Sequence, residues 1–375
     1  MVSRYVALDN ARGVAIILAV IGHAFVHFNV YQAIPELRLL TRAATPTFFV
    51  IFGAMLEVVY FRKLEAGQGA AVSARLVERA LMCYALFVLT TLAAFATGKL
   101  TAETSLRAVA FVADGRFGNI LRLYTVWLLL APLLLLVYLR AGIWALVALA
   151  AAGWAFKGVM EGTGSGGESY ARSFFLGLGA EYGPSVLHSL TLIVVGIVVG
   201  RCYRRREILP LVPVALLAVA VMAAMFLYFG FDGMVRNFRA FDARGANHPV
   251  YYAYGILAAL SFIAMFELLA RHTQYFSRPN FLNAVGGSSL FYYTSVNVVV
   301  NLLPVIRFHP ALGFVIATVF LAVMAKISVD FTRGKAARYG LAGRLLQSAL
   351  DAGYGVIRRA GAALAVIFRV QRAQN

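Results

Sequence analysis

Long apolar runs separated by short polar stretches make up most of the 375-residue chain. A helix needs about 20 mainly apolar residues to cross the hydrocarbon core of a bilayer. Ten stretches meet this pattern, at 13–30, 43–61, 77–96, 119–138, 142–157, 184–200, 208–229, 249–269, 281–303 and 311–330. The fifth is short, and 105–113 reads as a further half-helix or a surface helix. The longest connections, 97–118, 158–183 and 230–248, are too short to hold separate domains. The middle one carries the glycine-rich stretch 161–167, which reads as a linker because no strand precedes it and no helix is placed to cradle a phosphate.

Composition makes a water-soluble fold untenable. The chain is 61% hydrophobic and 13% charged, against roughly half and a quarter in soluble domains. The expected fold is therefore all-α, a polytopic transmembrane helical bundle of about ten spans. Residues 1–335 form its integral membrane domain and 336–375 a basic cytoplasmic tail. In that tail, 341–370 alternates apolar and basic residues at helical spacing, with Leu345, Leu346, Leu350, Val356 and Ile357 on one face. This predicts an amphipathic helix on the inner leaflet; Asp351, Arg358 and Arg359 argue against an eleventh span.

Thirty-four Lys and Arg against 16 Asp and Glu give a net charge of +18. Because the cations lie between apolar runs, they read as topology signals and contacts to anionic lipid rather than as a nucleic-acid surface. Counting them by loop favours both termini inside. The cytoplasmic side then holds Arg4, Arg62, Lys63, Arg75, Arg79, Arg140, the Arg201–Arg206 cluster, Arg271, Arg278 and the basic C-terminal tail. The opposite side holds Arg38, Arg42, Lys99, Arg107, Arg116, Lys157, Arg172, Arg236, Arg239, Arg244 and Arg307. The first apolar run contains Arg12 and His23 with no small-residue cleavage pattern after it, so it reads as a span rather than a cleaved signal. Two cysteines, Cys83 and Cys202, exclude a disulfide framework, and no spacing suits a metal.

The first span carries the most chemistry. In Leu8-Asp9-Asn10-Ala11-Arg12-Gly13-Val14-Ala15 and the following Gly22-His23, Arg12 and His23 are eleven positions apart. That is about three helical turns, or about 16 Å, so both fall on one face, with His23 near the bilayer midplane. An ionisable group at that depth faces a polar cavity or is bonded to a neighbouring helix. His23 is accordingly a structural histidine or a proton-transfer group. Asp9 pairs with Arg12, or simply opens the helix.

These residues resemble the first helix of the membrane acyltransferase family 3, whose pattern is L-D-x-x-R-G-x-A followed by G-H. Ala44-Thr45-Pro46-Thr47-Phe48-Phe49-Val50-Ile51-Phe52-Gly53 is similar to that family's P-x-F-F-x-x-S-G stretch, with Phe52 replacing a small polar residue. Arg75 and Arg79 resemble its paired arginines, one residue further apart than is common. Ile120–Pro132, with Tyr124 and Trp127, resembles the helix of its osmoregulated periplasmic glucan succinyltransferase branch. Gly286-Gly287-Ser288-Ser289-Leu290-Phe291-Tyr292-Tyr293 is similar to a late element that ends in a histidine; here Val296 and Asn297 stand in its place.

The resemblance implies an O-acyltransferase of the bacterial inner membrane. It would move an acetyl or succinyl group from cytoplasmic acyl-CoA, a co-substrate rather than a bound cofactor, to a hydroxyl of a carbohydrate or glycolipid outside. His23 would act as base or acyl carrier, assisted by Asp9. Arg12, Arg75 and Arg79 would hold the donor's phosphates. Tyr124, Trp127 and Asn297 would line the cavity, and Arg239 and Asp242 in the 230–248 connection would meet the acceptor. Arg75 and Arg79 also read as plain topology signals, the aromatics as interface anchors, and 230–248 as a solvated loop. Two other classes fit the same pattern. One is a secondary transporter or flippase, which would show more intramembrane carboxylates and paired broken helices. The other is a non-catalytic partner of a polysaccharide synthase.

Overall fold

The computed structural model describes residues 5–163, 169–240, 242–305 and 308–364. Arg4, Arg307, most of the glycine-rich stretch and residues 365–370 of the predicted tail helix lie outside them. The described residues are all-helical, and eight helices are long and apolar enough to cross a membrane.

The first, α1, runs Val6–His27 and takes Asp9 and Arg12 inside the helix. A short α2 (Leu37–Arg42) leads into α3 (Ala44–Met55), which continues through a wider turn at Leu56–Phe61. After α3 come α4 (Gly69–Ala96), the surface helix α5 (Ala102–Val109) and the long α6 (Asn119–Gly162). Gly142 turns α6 with φ 73°, a left-handed conformation that glycine adopts without cost. The predicted fourth and fifth spans are thus two helical stretches that meet at a sharp corner at Gly142.

Next are α7 (Tyr170–Leu176), α8 (Val186–Arg205), α9 (Leu211–Arg239) and α10 (Pro249–His272). Then follow α11 (Phe281–Gly287), α12 (Ser289–Leu302), α13 (Pro310–Thr332) and the terminal α14 (Gly340–Leu364). Two expectations change here. The predicted span 281–303 is broken at Ser288, whose hydroxyl bonds Ala284 O and Val285 O in the turn before it. The predicted loop 230–248 is largely helical, because α9 turns at Gly230 (φ 67°) and continues to Arg239, and Asp242–Gly245 adds one more turn.

In lipid no hydrophobic driving force pulls helices together, so tight packing depends on small residues that let backbones approach. α3 and α8 meet in this way. A β-carbon on Gly53 would stand 2.1 Å from Ile193 O, and one on Gly196 would stand 2.0 Å from Val50 O. On α1, Gly13 fits against Leu282 O while Gly286 of α11 fits against Asp9 O. These contacts fix α1 between α3, α11 and α12, with its outer half facing the connections that follow α1 and α5.

α14 matches the predicted amphipathic helix. Leu341, Leu345, Leu346 and Val356 are exposed, while Gly361 packs against Glu78 of α4 and Tyr354 bonds the Glu78 carboxylate.

Candidate functional site

His23 lies on the cavity-facing side of α1, in the wall of a cavity of about 400 Å³. Its Nδ1 is 2.7 Å from Asn297 Oδ1 on α12. The Asn297 amide has a second partner, since its Nδ2 donates to Phe117 O at 3.0 Å. A carbonyl oxygen only accepts, so this bond fixes which end of the amide is NH2. The end facing His23 is then the oxygen, and Nδ1 must carry the proton that bonds it. Nε2 is left with the lone pair. A neutral imidazole in this tautomer can take a proton from a hydroxyl or attack a carbonyl.

The bond to Asn297 is one of three supports from a single face of α12. Tyr293, Asn297 and Asn301 follow one another at four-residue spacing, which stacks them on one side of a helix. Tyr293 OH donates to Phe117 O at 2.8 Å, and Asn301 Oδ1 accepts from Arg116 Nε at 3.1 Å. All three therefore hold either His23 or the connection 113–118. The His23 ring also packs on Phe117 and Tyr293, with centroids 4.7 and 5.6 Å away. Lys99 seals the end of α12 by donating to Val300 O, Asn301 O and Leu303 O at 3.1, 2.7 and 2.5 Å, where helix carbonyls lack partners.

Connection 113–118 is strained. Arg116 and Phe117 have φ of 44° and 60°, a region that costs residues with a β-carbon about 1–2 kcal/mol. Arg122, fully buried on α6, holds it from below. Arg122 donates to Ala113 O at 2.5 Å, to Asn119 Oδ1 at 3.0 Å and to Tyr170 OH, and it lies over the rings of Phe87, Phe174 and Tyr182. Asp114 is 3.9 Å away. An arginine can serve such a cage because its planar fork bonds at the edges while its faces stack on aromatic rings.

The rest of the cavity wall comes from connections that sequence reading assigned to the outer side. It includes Arg38, Thr41 and Arg42 of α2, Asp114 and Arg116, and Arg244 beyond α9. In the sequence all four arginines read as orientation signals, and Arg244 also falls in the 230–248 connection expected to meet the acceptor. Their convergence follows from how α2, the 113–118 connection and the turn after α9 fold over α1, a tertiary arrangement with no periodic signature in the chain.

Several predicted site residues are elsewhere. Asp9 is bonded to Arg12 at 2.9 Å near the inner end of α1. It is fourteen residues from His23, about 21 Å along the axis, so it cannot touch the imidazole or a group reacting there. Arg239 and Asp242 do not line the cavity: Arg239 pairs with Glu36 at 3.2 Å, and Asp242 is an exposed first-turn residue. Arg244 occupies the position expected of them because the chain between is helical. Tyr124 packs among Phe48, Phe49 and Phe52 and donates to Phe48 O at 3.0 Å. Trp127 is buried one turn further along α6. Neither lines the His23 cavity. Arg75 and Arg79 are exposed on α4, Arg75 standing 3.6 Å from Glu78. The predicted site thus divides into a group around Arg12 near the start of α1 and a cavity around His23 near its end. Among the described residues no group of His, Cys, Asp and Glu is placed to hold a metal ion.

The sequence model of a protein family described as OpgC protein matches residues 4–113. The match takes in Asp9, Arg12, His23, Arg38, Arg42, Arg75 and Arg79. It ends before Arg116, the Arg122 cage and the α12 residues that hold His23. No curated protein and no solved structure matches the chain.

Proposed function

We propose that this multi-pass membrane protein transfers an acyl group from acyl-CoA to a hydroxyl of an extracytoplasmic carbohydrate, such as a periplasmic glucan, with His23 as the reacting base. The matched family is acyltransferase-like and is involved in modifying osmoregulated periplasmic glucans, which supports this reaction class. The motif of α1 and the Arg75/Arg79 pair support the wider resemblance to membrane acyltransferase family 3 as part of the same reading. The observation that carries the proposal is the His23–Asn297–Phe117 hydrogen-bond chain, which leaves Nε2 unprotonated in the wall of a polar cavity.

In this reading the acceptor enters from the outer face and its hydroxyl lies against Nε2. The imidazole takes the proton as the oxygen attacks the thioester carbonyl. Collapse of the tetrahedral intermediate breaks the carbon–sulfur bond, and the thiolate leaves with the proton returned from the imidazolium. Asn297 keeps Nδ1–H engaged throughout, so the ring neither rotates nor changes tautomer. The donor approaches from the opposite side. Its phosphates meet Arg12 and Arg79, and its pantetheine arm runs beside Tyr124 and Trp127 toward His23.

Purified protein in detergent, given acetyl-CoA or succinyl-CoA and a glucan oligosaccharide, tests this by free-thiol release and acylated product. Transfer that disappears in His23→Ala supports the reading. Absence of transfer from every donor, together with solute flux in vesicles, supports a carrier instead.

A further inference from the structure

Beside the polar His23 cavity lies a second cleft, of about 380 Å³ and the opposite character. On α1, Ile17, Leu18, Ile21 and Phe25 line it, and their three- and four-residue spacing puts them on one side of the helix. Ala19, Gly22, His23 and Val26 make up the neighbouring side, which lines the His23 cavity. The facing wall of the cleft is α13, with Phe314, Thr318, Leu321, Ala322 and Ala325. Leu18, Phe25, Leu321 and Ala325 are buried, while Leu40, Phe281 and Phe314 stand exposed at the rim.

Hydrogen bonding leaves this cleft no donor to offer a ligand. Its side-chain hydroxyls belong to Thr41, Thr318 and Tyr292. Tyr292 OH donates to Leu321 O at 3.1 Å and Thr318 Oγ1 to Phe314 O at 2.8 Å. Thr41 Oγ1 donates to Arg38 O at 3.2 Å and stands 2.8 Å from Tyr31 OH. A space lined in this way suits hydrocarbon, since apolar cavities stay dry and take apolar guests. Thr41 is the residue that lines both spaces. It stands over Gly22, where an added β-carbon would meet Thr41 Cβ at 3.7 Å. At this point the wall between the polar and the apolar space is one side chain thick.

We infer that this cleft holds the hydrocarbon chain of a membrane-anchored acceptor, whose sugar head lies in the His23 cavity. This rests on the acyl-transfer reading and specifies the form of its acceptor. A free lipid tail would satisfy the apolar lining alone. The junction at Thr41 suits a chain joined to a polar head, because it brings the two spaces together beside His23. Both volumes, about 380 and 400 Å³, are of the size that ligand pockets occupy. The transfer itself is unchanged. A hydroxyl oxygen of the head gains the acyl carbon, its proton passes by way of His23 to the departing thiol, and the chain takes no part in bond making.

Paired acceptors test this in phosphatidylcholine nanodiscs, with acetyl-CoA or succinyl-CoA as donor. One acceptor is a glucan oligosaccharide carrying a dodecyl chain, and the other is the same oligosaccharide without it. Ala322 is exposed on the wall of the cleft, so Ala322→Phe fills the cleft without entering the His23 cavity. The wild type is expected to prefer the dodecyl acceptor by at least about tenfold in kcat/KM. Ala322→Phe should abolish that preference and leave transfer to the chain-free acceptor intact. Val323→Phe, exposed on the same helix but outside the cleft, should keep it. Equal use of the two acceptors overturns the inference and leaves acyl transfer standing. So does a preference that Ala322→Phe leaves whole, since partitioning into the bilayer would then account for it. If neither acceptor is acylated, acyl transfer fails, and the cleft is judged by binding. The dodecyl oligosaccharide with a diazirine in its chain should then crosslink to 17–25 and 314–325 in the wild type and not in Ala322→Phe. Absence of crosslinking, or equal crosslinking by phosphatidylcholine bearing the same reactive chain, overturns the inference.

Discussion

His23 and Asn297 are 274 positions apart in the chain and 2.7 Å apart in the fold. Because Asn297 also bonds Phe117 O, the pair acts as one unit with a set proton position, and its two members should not be energetically independent. Asn297→Leu is expected to lower kcat by about 10- to 100-fold with little change in KM, the size of effect seen when a partner that orients a reacting imidazole is removed. The double variant His23→Ala/Asn297→Leu should be no slower than His23→Ala. Steady-state kinetics of the four proteins check both statements, and additive losses would show that Asn297 acts on something other than His23.

Arg122 supports the site without lining it. Arg122→Leu leaves Ala113 O, Asn119 and Tyr170 without their donor in a buried cage, at a cost on the order of 3 kcal/mol. Arg122→Lys should recover little of this, since a compact ammonium lacks the planar fork that spans these separated acceptors and the flat face that stacks between aromatic rings. The expected outcome is a lower unfolding temperature in detergent for both variants. A wild-type melting profile for Arg122→Lys would show that charge alone suffices.

The α3–α8 contact has no room for a side chain. Gly53→Val or Gly196→Val must push backbones apart, since the added β-carbon would sit about 2 Å from a carbonyl oxygen. Overpacking in an ordinary core costs about 1–3 kcal/mol, and here the obstacle is backbone. Both variants should lose monodisperse protein on size-exclusion chromatography. Gly67→Ala, near no other atom but with φ +80°, should lose only the smaller amount that goes with a strained loop residue.

Lys99 gives a pH prediction. Burial, then the nearby Arg116 charge, push its ammonium pKa down from 10.5. The folded protein thus holds this proton less tightly than the unfolded chain, and the penalty is fully present below the folded pKa. It is relieved as pH rises through the window below 10.5. The unfolding-temperature difference between wild type and Lys99→Met should therefore move in favour of the wild type as pH is raised from 7 toward 10. A difference independent of pH would show that Lys99 titrates normally.

The sequence made the bundle legible because the bilayer forces it: each crossing must close its own backbone hydrogen bonds, so apolar length alone marks most spans. It also marked His23, an ionisable group at mid-depth, and Asn297, which stands where a related pattern has a histidine. The Tyr293, Asn297, Asn301 repeat was present as a four-residue spacing of polar groups inside an apolar run, a signal that points to a partner helix once α12 is known to begin at Ser289. Arg38, Arg42 and Arg116 were visible only as topology signals, and Arg244 also as part of the polar 230–248 connection. Their convergence depends on how three connections fold over α1, and loop positions follow tertiary packing rather than a period. Arg239 and Asp242 were misplaced for the same reason, because the helical turn of Asp242–Gly245 swings Arg244 inward in their stead.

The central claim is that the His23 imidazole is the base for acyl transfer. The most direct measurement is acyl-CoA-dependent acylation of a glucan oligosaccharide by purified wild type and His23→Ala, with product followed by mass spectrometry. A drop of roughly 100- to 10,000-fold in kcat for the variant, with an unchanged melting profile, is the predicted result. Transfer by His23→Ala at the wild-type rate would contradict it.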